Sequence, residues 1–235
     1  FLLIWKVWLK GNFSPDVYCI IIPCMRKFVF KLLILVGLFS LSYAQQANTF
    51  LTPERANARI NASVHIAKLL KDMGYNRIAV VYMESADLCA LFAASLVASL
   101  KSLGVEAYYV KGGEGLENRL KLIQPFHVYM AYYGERPHEE VQSQFNQDLR
   151  RVLLYDKKPS LILQAPLLGF GFISGLLADE ELSSKLENLP MLSFVFEEGK
   201  LKPARVVIKD FEVKVSVFEP KPSESKPTKT QRRKK

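Results

Sequence analysis

Residues 76–112 read NRIAVVYMESADLCALFAASLVASLKSLGVEAYYVKG, and two changes of period within them decide the fold. Ile78 to Met83 is a short, continuous apolar run rich in β-branched residues, as in a strand buried on both faces. Glu84 and Ser85 break it. From there to Leu103 apolar residues recur at helical spacing, until Gly104 stops the helix. Val105 to Lys111 is β-prone again. A strand, a crossover helix and a second strand in so few residues form a βαβ unit, in which the two strands run parallel and the crossover is right-handed.

The same alternation continues in both directions. Upstream, Glu54 to Met73 places Ala58, Ala62, His65, Ile66, Leu69 and Leu70 at three- and four-residue spacings, as an amphipathic helix does, and Gly74 ends it. Downstream, Gly112, Gly113 and Gly115 break the chain before a helix from Leu116 to Ile123, and a strand from Phe126 to Tyr133 follows Pro125. Pro137 to Tyr155 carries Val141, Phe145, Leu149, Val152 and Leu153 on one helical stripe. Ser160 to Ala165 is a fourth strand, Phe172 to Leu186 a broken helix, and Met191 to Phe196 a fifth strand. Leu201 to Ile208 and Phe211 to Phe218 then read as a hairpin turning at Lys209-Asp210. The pattern predicts an α/β fold, three-layered and Rossmann-like, with a mostly parallel sheet of about five strands and a C-terminal β-hairpin adding an antiparallel edge.

The two ends are different in kind. Met25 to Ala44, MRKFVFKLLILVGLFSLSYA, has a positive start, an apolar stretch from Leu32 to Leu41, and small residues at Ser42 and Ala44, the pattern of a secretory signal peptide. It predicts cleavage after Ala44 and a periplasmic or secreted protein. Residues 1–24 read as upstream sequence outside the mature protein. The competing reading is an uncleaved anchor built from Phe28 to Ala44, although neither apolar run near it, Val17 to Pro23 or Phe28 to Leu41, reaches the ~20 residues of a spanning helix. Residues 45–219 then form a single domain, and residues 220–235, rich in Pro, Ser, Thr and Lys, a disordered basic tail.

That division accounts for the charge. The net +9 comes from five Lys/Arg and one Asp before residue 45, and from seven Lys/Arg and two Glu from residue 219 onward. The stretch between carries 20 of each sign, which removes the main argument for a nucleic-acid-binding face. Arg232, Arg233, Lys234 and Lys235 could still touch an anionic surface through charge alone. Cys19 and Cys24 precede the predicted cleavage site, so the mature chain retains only Cys89, within an apolar helix pattern that suits a buried small hydrophobe.

A doubly wound sheet binds ligands beyond the carboxyl ends of its strands, which makes the loops there the site candidates. Glu84, Ser85 and Asp87 stand at the first strand end, where Ser85 either caps the helix or helps present free amides to an anion. Gly112 and Gly113 form the next turn, matching no phosphate-binding motif and most simply supplying positive φ. Gly134 marks the third loop. Pro166, Gly169, Phe170 and Gly171 mark the fourth, where Phe170 and Phe172 either receive an apolar ligand or pack on the sheet. His65, His127 and His138 are isolated from one another, and no nucleophile elbow, metal-ligand spacing or Walker motif nominates a catalytic group, a metal or a cofactor.

The segment from Asn76 to Gly112 resembles the first lobe of periplasmic substrate-binding proteins of ABC transporters. The end, LPMLSFVFEEGKLKPARVVIKDFEVKVS, is similar to the close of YfiR-like periplasmic regulators. A binding protein that closes by hinge motion needs two lobes, and this chain has strands for one, so the resemblance to the single-domain regulators carries further. It implies an exported, non-enzymatic binding or regulatory domain recognising a small ligand or a membrane-protein partner. The alternatives are the solute-binding component of an ABC transporter, and an exported hydrolase-type enzyme of Rossmann-like fold acting at the carboxyl edge through Ser85 or Asp87.

Overall fold

A computed structural model describes residues 52–132, 135–169, 171–210 and 212–219. The predicted signal peptide and the basic tail lie outside them. The chain divides into two units, Phe1–Phe50 and Leu51–Lys235, and the described residues all belong to the second.

Helix α1 (Pro53–Asp72) starts at Thr52, whose hydroxyl accepts from the Arg55 amide at 3.3 Å, with Pro53 in the first turn where its missing N–H costs nothing. Strand β1 (Ile78–Tyr82), helix α2 (Asp87–Ser102) and strand β2 (Ala107–Lys111) are the βαβ unit. Helix α3 (Leu116–Ile123), β3 (His127–Ala131), α4 (His138–Leu153) and β4 (Ser160–Leu163) follow. Three short helices, α5 (Pro166–Gly169), α6 (Phe172–Leu177) and α7 (Glu180–Leu186), lead to β5 (Met191–Glu197), β6 (Lys200–Lys209) and β7 (Glu212–Val217).

The strand order is β2-β1-β3-β4-β5-β6-β7, parallel from β2 to β5 and antiparallel beyond. The sheet counts seven strands rather than about five. The terminal hairpin adds the expected antiparallel edge, with β6 pairing along the whole of β5, from Met191↔Val206 to Glu197↔Lys200. The order 2-1-3-4-5 in the parallel part is the flavodoxin-like variant of the doubly wound arrangement, with its switch point between β1 and β3.

Alternation along the strands builds two cores. Ile78 and Val80 of β1 face one with Ile66 and Leu70 of α1 and Phe92 and Leu96 of α2. Ala79 and Val81 face the other with residues of α3, α4, α6 and α7. Helices thus cover both faces of the sheet, and the chain reverses face between β1 and β3. Cys89 is buried, in keeping with its apolar helix. Among the described residues, no helix is long and apolar enough to cross a membrane.

Candidate functional site

The turn after β2 closes over a buried carboxylate. Asp148 lies on the inner face of α4 and is fully buried. It accepts from the Gly113 amide at 2.9 and 3.0 Å, from Tyr132 Oη at 2.5 Å, from Gln144 Nε2 at 2.7 Å and from Arg151 at 2.7 Å. Four donors satisfy its oxygens, which is what makes a polar group tolerable in a core. Burial, with the neighbouring Asp148 charge, holds the Tyr132 hydroxyl well above the ordinary phenol range, so it remains a donor.

The two glycines of the turn do different work. Gly113, at φ +82°, supplies the left-handed conformation that glycine adopts without penalty. Gly112 is needed for close approach. A Cβ there would stand 2.6 Å from both Asp148 Oδ2 and Tyr132 Oη and 3.0 Å from the Tyr82 carbonyl oxygen. The expectation that the pair serves positive φ therefore holds for Gly113 and gives way, at Gly112, to packing against Asp148.

Above this floor, the carboxyl ends of β1 and β2 open into a crevice of about 540 Å³ lined by Glu84, Ser85, Lys111, the glycine turn, Arg119 and Gln144. Lys111 and Glu84 form an ion pair at its mouth. Arg119 donates to the carbonyls of Gly112 at 3.2 Å and Glu114 at 2.8 Å, and its Nε is buried without a partner. The crevice joins Glu84 and Ser85 to Gly112 and Gly113, as their positions in the sequence suggest.

At the switch point itself, Ser85 does not cap α2. The N-cap residue is Ala86, with no side-chain cap of its own, and Glu135 reaches across from the β3–α4 loop to accept from the Leu88 amide at 2.8 Å. At this helix terminus the protein's own carboxylate stands where an anion was expected. Burial, reinforced by Asp87, raises the Glu135 carboxyl above its usual range against the pull of the Leu88 amide. Ser85 donates to Glu140 Oε1 at 3.3 Å instead.

The fourth loop is less open than the sequence suggests. Pro166–Gly169 forms the short helix α5, Phe172 is buried against Phe145, and Gly171 takes φ +77°. Pro166 borders a second cavity, at the ends of β4 and β5. Gly134 and Phe170 lie outside the described residues. No three His, Cys, Asp or Glu side chains among those described gather as a metal site does.

Arg119, Glu135, Gln144 and Asp148 escaped the sequence reading. Asp148 had a signal: it stands three residues after Phe145 and seven after Val141, a charge on the apolar stripe of its helix. Glu135 had none, since its partner is 47 residues away.

The sheet order and this edge define a doubly wound α/β protein with a crevice at the carboxyl ends of its strands. Residues 55–227 match a family model described as "Uncharacterized protein", and the chain belongs to that family. A protein of Aquifex aeolicus (strain VF5) with the same description is 38% identical over 152 residues, covering 65% of this chain and 72% of the relative.

Proposed function

We propose that the protein is an exported, non-enzymatic binding or regulatory domain whose site is the crevice above the glycine turn, and whose ligand is a small polar molecule bearing a negative group. One observation carries the reading. Lys111 and Arg119 stand on the walls of a crevice at the sheet's carboxyl edge, over a glycine turn hydrogen-bonded to Asp148. An incoming anion would take the place of Glu84 on Lys111, while the Arg119 fork offers directional donors. The saturated environment of Asp148 supports a structural role for it rather than that of a base.

Export rests on the pattern of residues 25–44, and the likeness to YfiR-like regulators supports a second form of the reading, in which a membrane-protein partner occupies this edge. The solute-binding role in an ABC transporter rests on the same crevice. The hydrolase-type alternative draws on the Ser85–Glu140 hydrogen bond; Ser85→Ala and Asp87→Ala with unchanged activity in a broad hydrolase screen would dispose of it.

Amide NMR during titration with phosphate, citrate and glycine tests the site. The reading expects saturable shifts at residues 112–115 with at least one of these, lost in Lys111→Ala and Arg119→Ala. A pull-down from detergent-solubilised envelopes tests the partner. No saturable shift together with no retained membrane protein rejects the proposal.

A further inference from the structure

The carboxyl ends of β4 and β5 border a second cavity of about 540 Å³ on the face covered by α1 and α2, within the ~300–1,000 Å³ of ordinary small-molecule sites. Its walls are apolar, with Phe92, Phe194, Phe196, Leu168 and Leu201 among them, and Gln164 and Arg59 are its polar members. No residue lines both this cavity and the crevice over the glycine turn, so either site stands or falls without the other.

Gln164 follows β4, on the same side as Ile162 by alternation. It is 2% exposed, and its Oε1 is buried without a hydrogen-bond partner. Tyr129, opposite Ile162 on β3, has a buried hydroxyl that is likewise without a partner, and its ring centroid lies 5.7 Å from that of Phe92. Buried polar atoms are nearly always paired, and an acceptor left alone among aromatic rings carries its full desolvation cost. Asp148, in the other core, has donors on both of its oxygens, whereas Gln164 Oε1 has none.

We infer that this cavity binds a compact aromatic molecule bearing a hydroxyl or amide N–H, with its ring among Phe92, Phe194 and Phe196 and its donor on Gln164 Oε1. The apolar walls supply the affinity through burial, and Gln164 supplies the choice between molecules of the same shape. A site built around a buried acceptor disfavours an isostere that leaves that acceptor unmet.

p-Cresol and p-xylene, which differ by a hydroxyl in place of a methyl, are the probes. Titrated into the full chain and followed by NMR, p-cresol should give saturable shifts at the Gln164 side-chain amide and at Phe92 and Phe194, and bind about tenfold more tightly than p-xylene. Gln164→Met, of similar length without the amide, should erase that preference while still admitting both probes. Leu168→Trp, which fills the cavity from its rim, should exclude both and leave the remaining spectrum folded. Absence of saturable shifts, equal binding of the two probes by the native chain, or a preference that survives Gln164→Met would each overturn the inference.

Discussion

The carboxyl edge of one sheet is built in two ways. At the ends of β1, β2 and β3 the carboxylates are paired: Asp148 has four donors, Glu135 holds the start of α2, and Glu84 meets Lys111. At β4 and β5 Gln164 lines a mostly apolar cavity, and its Oε1 meets no donor. In the first half a buried oxygen is a structural tie, and its loss should destabilise. In the second the same kind of atom is a cost to the folded chain, and its removal should be free or better.

The largest effect should come from cutting the tie. Asp148→Ala leaves the Tyr132 hydroxyl and the Gly113 amide facing a void and strips Arg151 of its partner, and should cost about 3–5 kcal/mol in urea denaturation. A loss under 1 kcal/mol would mean that the cluster is solvated and the two halves alike. Next is Gly112→Ala, whose methyl would meet Asp148 and Tyr132; it should cost about 1–3 kcal/mol by the same assay.

Glu135 gives a smaller and pH-dependent effect. Glu135→Ala removes a helix cap and should cost about 1 kcal/mol, whereas Glu135→Gln keeps an acceptor and should be near neutral at pH 7. Because burial raises the carboxyl above its unfolded value, the folded chain holds that proton more tightly. The resulting stabilisation is complete below the unfolded pKa and is lost as pH rises through the folded one. Wild type should therefore gain on Glu135→Gln as pH falls, and thermal melts of the two, nearly equal at pH 7, will separate in favour of wild type toward pH 4 if the carboxylate is placed as described.

The parallel strands were legible because burial on both faces leaves runs such as Ile78 to Tyr82 with no polar interruption. The hairpin was legible through Lys209-Asp210, and with it the antiparallel edge, although periodicity alone does not give the seven residue pairs that join β6 to β5. Helix α5 was read as loop, since four residues carry no period. Gly112 and Gly113 were found as a turn, yet the reason for Gly112 lies in Asp148, 36 positions on, which no local pattern reports. Ser85 was the sequence's natural cap. Glu135 takes the role because the crossing between β1 and β3 brings its loop to the same helix end, a consequence of strand order rather than of neighbouring residues. Gln164 carries no signal within the strand Ser160 to Ala165, and only its burial without a partner makes its oxygen conspicuous.

The direct test of this division is the sign of two stability changes measured side by side. In urea denaturation of the unliganded full chain, Asp148→Ala should lose about 3–5 kcal/mol while Gln164→Met holds its stability or gains up to ~1 kcal/mol. A loss of more than about 1 kcal/mol in Gln164→Met would show that Gln164 Oε1 is satisfied within the fold, and would contradict the account.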